Sequence, residues 1–524
     1  MRIVARRCLP LLVACLTLAV ACEPGEKAGD VVDLQLQLFQ PAEPDPFGRG
    51  GSNFKVAALE LLGSREGTLI FSGVVDFDQS AEGVTTLHLP EITGAQSELS
   101  FPIEGVTLAL NGYNIGGGLI AQGVAQPVDL VLDQPVNASM LFTRLDTCSE
   151  LGATLPQGRW GHTATLLGSG KILVFGGAAV LSRGEPDTAL SAPLLFDPQT
   201  REVKALETAG LTKRVFHTAT AIEGGVVIAG GLNDSGALVG EAVFFDDEQE
   251  AFTHEYNLIE ARAAHAAVAR VDGVVLAGGV VGETGAGLGS IPGLVQLPSA
   301  NDLKATASVE LLPPGGGTPI ALDDLPGGAR AFLAVGALDN ANAVFAGGIG
   351  EAGVSDAVDW FPHDATAATL TPLGTARMGA ATLASDGSVL LLGGTEGSGD
   401  PLSTGVLISA GGAPGDPPTV EATPAMDNPR SGFGIAALAN GKVVALAGLA
   451  ESQVQTRFAS YAEVFDGEEF ETTGTLRVPR GFGSVTELTD GRVVLIGGLA
   501  VDQDSGETEV LDSIELYVTA RILP

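Results

Sequence analysis

Cysteine is nearly absent from the body of this chain. Cys8, Cys15 and Cys22 lie in the first 22 of 524 residues and only Cys148 follows, so no intrachain disulfide framework can form beyond residue 22. Basic residues are scarce as well: 27 Lys plus Arg against 63 Asp plus Glu give a formal charge of −36, a field that repels phosphates and excludes nucleic acid as a partner. Charged residues make up 17% of the chain, below the usual ~25%. What the sequence has instead is glycine, 72 residues, about twice the usual ~7%. With 45% hydrophobic residues it cannot be a disordered polymer, and the combination predicts buried strands joined by many turns.

Residues 1–22 have the layout of a secretory signal. Arg2, Arg6 and Arg7 form a basic start, and Leu9 to Ala21 form an apolar stretch ending in small residues, too short to span a bilayer comfortably. The ending Leu18-Ala19-Val20-Ala21-Cys22 resembles the lipobox of bacterial lipoproteins, which implies lipidation of Cys22 as the first mature residue. Ala19-Val20-Ala21 also reads as an ordinary cleavage site for plain secretion. Either cut removes three arginines and no acids, taking the charge from −36 to −39. Glu23 stands where retention in the inner membrane usually shows Asp, so the resemblance implies an outer-membrane lipoprotein, facing the periplasm or the cell surface. Residues 23–30 read as a polar tether, and no later segment offers a spanning helix.

From Val31 the pattern has period two: Val32, Leu34, Leu36 and Leu38 alternate with Asp33, Gln35 and Gln37, as a half-buried strand requires. Further strand-like runs at 55–62, 68–77, 84–89, 106–110 and 128–132 predict an antiparallel, immunoglobulin-like β-sandwich over residues 31–146. It offers no evident chemistry; His88 and Tyr113 read as structural or exposed.

Residues 147–524 repeat. A turn arginine is followed by an apolar strand, a polar turn, a second apolar strand and a glycine pair. The arginines are Arg159, Arg214, Arg262, Arg330, Arg377, Arg430 and Arg480. The pairs are Gly176-Gly177, Gly230-Gly231, Gly278-Gly279, Gly347-Gly348, Gly393-Gly394, Ala447-Gly448 and Gly497-Gly498, with spacings of 54, 48, 69, 46, 54 and 50 residues. A third strand follows in each unit, as in "EAVFFDD", "DAVDWFP" and "DSIELYV", and then a looser fourth. A period near 50 residues with this motif resembles the kelch family, over about 70% of the chain. The family's usual tryptophan after the third strand is missing, since Trp160 and Trp360 are the only two. The resemblance implies an all-β chain with a seven-bladed kelch-type propeller. Since only "TARILP" follows the last third strand, residues 149–156 are expected to complete the last blade.

The candidate sites are few. His162, His217 and His265 each stand three residues after a repeat arginine, one motif position used three times, which reads as core hydrogen bonding better than as a metal cluster. The same position holds Leu333, Ala380, Phe433 and Gly483 in the other units. The seven arginines read either as a basic binding collar or as residues satisfying carbonyls between blades, and their presence in every unit favours the second. The loops after the pairs carry acids, Asp187, Asp234, Glu283, Glu351, Glu396, Glu451, Asp502 and Asp504 among them. The stretch Asp502 to Glu507 misses the spacing of a calcium loop by one place. The insertion between Gly279 and Ala305, rich in Gly, Ser and Pro, is the first choice for a contact region.

No catalytic motif, metal site or cofactor is read in the sequence. The copper chemistry of kelch galactose oxidases implies two Tyr, two His and a thioether-linked Cys, whereas this chain has only Tyr113, Tyr256, Tyr461 and Tyr517, and Cys148 precedes the first blade. The expected function is a lipid-anchored envelope or cell-surface module that binds a protein or glycan ligand without catalysis. The rival is a secreted kelch-type carbohydrate-active enzyme such as a sugar mutarotase, whose acid and basic groups leave no local motif.

Overall fold

The computed structural model describes residues 4–8, 11–18, 33–40, 55–79, 85–88, 102–131, 135–179, 192–207, 210–282, 304–339, 341–363, 366–411, 416–451, 457–502 and 507–520. Among them every regular element is a strand, and no helix is long and apolar enough to cross a membrane. The chain forms two compact units, Met1–Gly152 with Leu516–Pro524, and Ala153–Glu515. Cys22 and the tether at 23–30 lie outside the described residues.

In the first unit two sheets enclose one core. One runs Val4–Cys8, Leu11–Leu18, Asp33–Gln40, Pro135–Leu141, its first two strands lying in the segment expected to be cleaved as a signal. The other is built around Ala58–Arg65, Thr68–Gln79, Ile103–Tyr113 and Leu119–Val124. Leu34, Leu36 and Leu38 pack with Val136, Ala138 and Met140 against Leu59, Leu61, Leu108 and Leu110, as the alternation at 32–38 requires. One pairing departs from the antiparallel expectation. Pro135–Leu141 lies parallel to Asp33–Gln40, with Pro135 opposite Asp33. Parallel neighbours need a long connection, and all of the second sheet except its edge strand Thr143–Arg144 is threaded between these two strands.

Beyond it the chain builds a kelch-type propeller of seven four-stranded antiparallel sheets. In the second blade the strands are Thr218–Ile222, Gly225–Ala229, Glu241–Asp246 and Ala251–Asn257, in that order from the axis outward. Gly225–Ala229 is buried throughout because both its faces meet a neighbour. Val226 and Ile228 pack with Leu173 and Phe175 of blade one, while Val227 and Ala229 pack with Val274 and Leu276 of blade three. Burying a side chain of this size contributes about 1.5–3 kcal/mol, and no blade could bury both faces alone. The last sheet runs Thr147–Thr154, Ser513–Val518, Val493–Ile496, Ser484–Glu487, so the strand expected to complete it comes from before the first blade. Leu155 N–H donates to Asp512 O at 2.8 Å and Arg159 N–H to Leu511 O at 3.1 Å.

The glycine pairs make the joints. In every blade the N–H of the pair's second residue donates to the backbone carbonyl of the next blade's repeat arginine: Gly177 to Arg214, Gly231 to Arg262, Gly279 to Arg330, Gly348 to Arg377, Gly394 to Arg430, Gly448 to Arg480 and Gly498 to Arg159, at 2.7–3.1 Å. That last bond closes the ring. A Cβ built on Gly278 would lie 2.4 Å from Arg330 O, and its φ is +62°, so the position needs glycine for both space and backbone angle. Ala447, the one exception, also has positive φ, +68°. Elsewhere a side chain from the next blade stands against this residue, as Leu333 does at Gly278 and Phe433 at Gly393. In blade seven the corresponding residue is Gly483, which leaves space for the Ala447 methyl.

Candidate functional site

The repeat arginines are not a binding collar: all seven are buried, at most 2% exposed. Their side chains tie carbonyls of their own blade, not of neighbouring blades as the sequence suggested; the link between blades is made by their backbone carbonyls. Arg262 Nη1 donates to Gly278 O at 2.9 Å and Ser308 O at 3.0 Å, and the same Nη1 contact to the first residue of the pair recurs at Gly176, Gly230, Gly347, Gly393, Ala447 and Gly497. Such a contact holds the start of the inner strand against the end of the second.

Sequence reasoning missed the acids that neutralise these arginines. Arg214 pairs with Glu241, Arg262 with Glu310, Arg330 with Asp359, Arg430 with Glu463 and Arg480 with Glu515. The signal was present in the third-strand signatures, where Glu310, Asp359, Glu463 and Glu515 share one position. Arg377 uses the Thr404 hydroxyl, 2.9 Å from Nη2. Arg159 and Arg377, without a carboxylate among the described residues, are both brought down to about 10 by burial.

The three histidines are clasps between blades. His162 Nε2 lies 3.0 Å from Ser484 Oγ of blade seven, His217 Nε2 2.9 Å from Thr163 Oγ1 of blade one, and His265 Nε2 2.9 Å from Thr218 Oγ1 of blade two. Burial, and then the charge of Arg159 and Arg262, lowers His162 and His265 to about 3; His217 is held well below its ordinary value by burial and by Arg214. All three imidazoles are neutral at pH 7, and none joins a cluster with another metal-ligating group among the described residues.

What remains for a ligand is the end of the propeller where the inner strands begin. The second residue after each arginine has positive φ: Gly161 (+61°), Phe216 (+54°), Ala264 (+51°), Phe332 (+55°), Gly379 (+59°), Gly432 (+58°) and Phe482 (+57°). Their backbones bond around the axis, with Ala264 N–H donating to Phe216 O and Phe332 N–H to Ala264 O at 2.8 Å, Gly161 N–H to Phe482 O and Gly379 N–H to Phe332 O at 3.1 Å, and Phe482 N–H to Gly432 O at 2.7 Å. Glycine adopts this conformation freely, whereas a phenylalanine there is strained by about 1–3 kcal/mol. Phe216, Phe332, Phe482, Trp160 and Met378 are half-buried around this ring. Trp160 and Phe332 each meet Phe216 edge to face at a centroid distance of 6.2 Å. The space above the backbone is open at Gly161 and Gly379. No periodic signal in the sequence marks this collar, because three of its seven positions are glycine and one is alanine.

The loops after the glycine pairs rise at the same end, since the residue after each arginine bridges the residue after its pair, as in Trp160 with Ala178, Ala263 with Val280 and Met378 with Thr395. The insertion between Gly279 and Ala305 starts here: Val281 N–H donates to Lys304 O at 2.9 Å, and residues 283–303 lie outside the described residues. Asp187, Glu283 and Asp504 lie outside them too. Glu396 and Asp400 share the Ser398 hydroxyl at 2.8 and 2.9 Å, and Asp234 stands 3.6 Å from Lys213, both exposed turn arrangements. The tyrosines do not converge: Tyr256 is in the outer strand of blade two, donating to Pro313 O, and Tyr461 is in the third strand of blade six.

No family model matches the chain, and no curated protein matches it. Among solved structures, a fungal alcohol oxidase of the AA5 family in complex with copper aligns over 70% of this chain and 75% of its own, with a TM-score of 0.51 and 17% identity. The structure of YjhT aligns over 70% of this chain and 96% of its own, with a TM-score of 0.45 and 13% identity. The likeness to the oxidase is one of fold and agrees with a kelch-type ring.

Proposed function

We propose that this chain is a lipid-anchored protein of the bacterial envelope or cell surface whose propeller binds a protein or glycan ligand at its collar end and catalyses no reaction. The observation that carries the reading is the division of labour among the repeat residues. Arginine and acid side chains are consumed within each blade and histidines between blades, while strained phenylalanines are kept half-exposed around the axis, where glycine or alanine serves in other blades. Strain retained in the face of an easier residue points to a function for the side chain, and aromatic rings with adjoining polar loops suit glycan faces and protein anchors alike. The anchor rests on the arrangement of Arg2 to Cys22.

The test uses the purified ectodomain on glycan arrays and in pull-downs from envelope fractions, beside Phe332→Gly and Phe482→Gly. Binding by the parent that falls in both variants supports the reading. Acceleration of sugar anomer exchange by the same protein overturns its non-catalytic part and favours the carbohydrate-active alternative. Cys22→Ala is expected to move the full chain from membrane to soluble fractions, and unchanged membrane association counts against the anchor.

A further inference from the structure

Arg159 differs from the other six repeat arginines in what surrounds it. Five of them meet a carboxylate and Arg377 meets a hydroxyl. In blade one the two third-strand positions that supply these groups hold Ala192 and Leu194. Among the described residues the hydrogen bonds of Arg159 are two long ones from Nη1, to Gly176 O at 3.3 Å and Ala192 O at 3.4 Å, and its Nε is buried without a partner. Yet the residue is 2% exposed. A guanidinium taken this far out of water without a counter-charge is unstable relative to its paired neighbours.

Two carboxylate places exist around these arginines, and blade one treats them differently. The deep place is held by Glu310, Asp359, Glu463 and Glu515, each of which also accepts a backbone N–H from the residue three before its arginine: Ile259, Gly327, Asp427 and Arg477, at 2.7–2.9 Å. In blade one Leu194, 1% exposed, stands in the acid's position, and the residue three before Arg159 is Pro156, which has no N–H to give. The deep place is dismantled. The shallow place is that of Glu241 in blade two, whose carboxylate lies 2.6 Å from Arg214 Nη2 and is 29% exposed. Ala192 matches Glu241 in position, since the carbonyl of each accepts from Nη1 of its own arginine, at 3.4 and 3.2 Å. Ala192 is exposed and its methyl supplies no carboxylate to that place.

We propose that Arg159 is a binding site for a small monovalent anion, a carboxylate or a halide, seated beside its guanidinium in the position that the Glu241 carboxylate takes beside Arg214. The group replaced is a single carboxylate, which sets the charge and the size of the guest. A bound anion stabilises the folded ring alone, because the unfolded chain assembles no such site.

The experiment is thermal melting of the full-length chain at constant ionic strength in sodium gluconate, the bulkiest of the anions compared, with gluconate replaced stepwise by formate in one arm and chloride in the other. A saturable rise in melting temperature is expected in at least one arm, and the arm that saturates first tells carboxylate from halide. Ala192→Glu, which builds blade two's own carboxylate into blade one, is expected to melt higher in gluconate and to lose the anion response, with apparent affinity down about tenfold or more. A crystal soaked in bromide gives a second measurement independent of stability, with an anomalous peak expected beside the Arg159 guanidinium. Equal melting temperatures in all three anions, an undiminished response in Ala192→Glu, or a bromide map without a peak at Arg159 overturns the proposal.

Discussion

His162 stands 3.0 Å from the hydroxyl of Ser484, 322 positions further along the chain, across the seam where the first blade meets the last. The same clasp recurs at the next two joints and nowhere else. The residue after the histidine position is a hydroxyl in blades seven, one and two (Ser484, Thr163, Thr218) and Ala266, Ala334, Ala381 and Gly434 in the others, while the histidines themselves occupy blades one, two and three. Donor and acceptor are thus matched across three consecutive interfaces, and where one is missing so is its partner.

These buried imidazoles make stability depend on pH. An unfolded histidine titrates near 6.5, whereas burial and the neighbouring arginines bring His162 and His265 to about 3 and hold His217 well below its ordinary value. The unfolded chain therefore binds the extra protons. Their contribution is whole above pH 6.5 and is lost as the pH falls from there toward 3, at about 1.4 kcal/mol per pH unit per histidine. His217→Leu, which copies Leu333 of blade four, is expected to reduce the slope of unfolding free energy against pH by one proton over that range, measured by urea titration. An unchanged slope counts against the assignment.

Gly497→Ala should be costly. The new methyl would lie 2.5 Å from Arg159 O at φ +57°, and strain plus displacement of the seam are expected to remove about 2–4 kcal/mol of unfolding free energy. Ala447→Gly at the corresponding place in blade six, where Gly483 leaves room, should change it by less than about 1 kcal/mol. Urea denaturation of the two variants side by side decides the matter.

Glu463 accepts from Arg430 Nη2 at 2.8 Å, Asp427 N–H at 2.7 Å, and Asn428 N–H and Nδ2 at 3.2 and 2.9 Å. Glu463→Ala leaves a buried guanidinium and three amide N–H donors without this acceptor and is expected to cost about 3–5 kcal/mol. Glu463→Gln, which keeps an acceptor oxygen, should cost less. A cost below about 1 kcal/mol for the alanine variant would show that water replaces the carboxylate.

Phe332→Gly tests the strain at the collar. Glycine relieves the positive φ but gives up the edge-to-face contact with Phe216 and adds freedom to the unfolded chain. The terms nearly cancel, so chemical denaturation should register a change within about 1 kcal/mol either way. A loss above about 3 kcal/mol would make the phenylalanine a structural residue instead.

The seven arginines and the glycine pairs were legible because each recurs at a fixed offset, and the completion of the last blade because the strand before Arg159 stands where other units place their fourth strand. The third-strand acids were legible in principle: Glu310, Asp359, Glu463 and Glu515 align once the arginines are placed. The matched histidines and hydroxyls required knowing that position 163 of one blade faces position 217 of the next, which period alone does not give. The collar could not be read at all. Its common property is a backbone angle, and Gly161, Phe216, Ala264 and Gly379 share no side-chain chemistry through which a sequence could announce it.

The seam has a consequence for the order of assembly. Each of six joints links blades that are neighbours in sequence and can form as the chain lengthens, but the Gly498 to Arg159 bond and the His162 clasp join segments more than three hundred residues apart. The equilibrium cost of so long a loop grows only logarithmically, about 0.6 kcal/mol per doubling. Its cost in time is larger, because contacts this distant form late. Until Ser513–Val518 arrives, the edge of Thr147–Thr154 and the open face of blade one have no mate, which makes the half-made ring the species most exposed to aggregation and proteolysis.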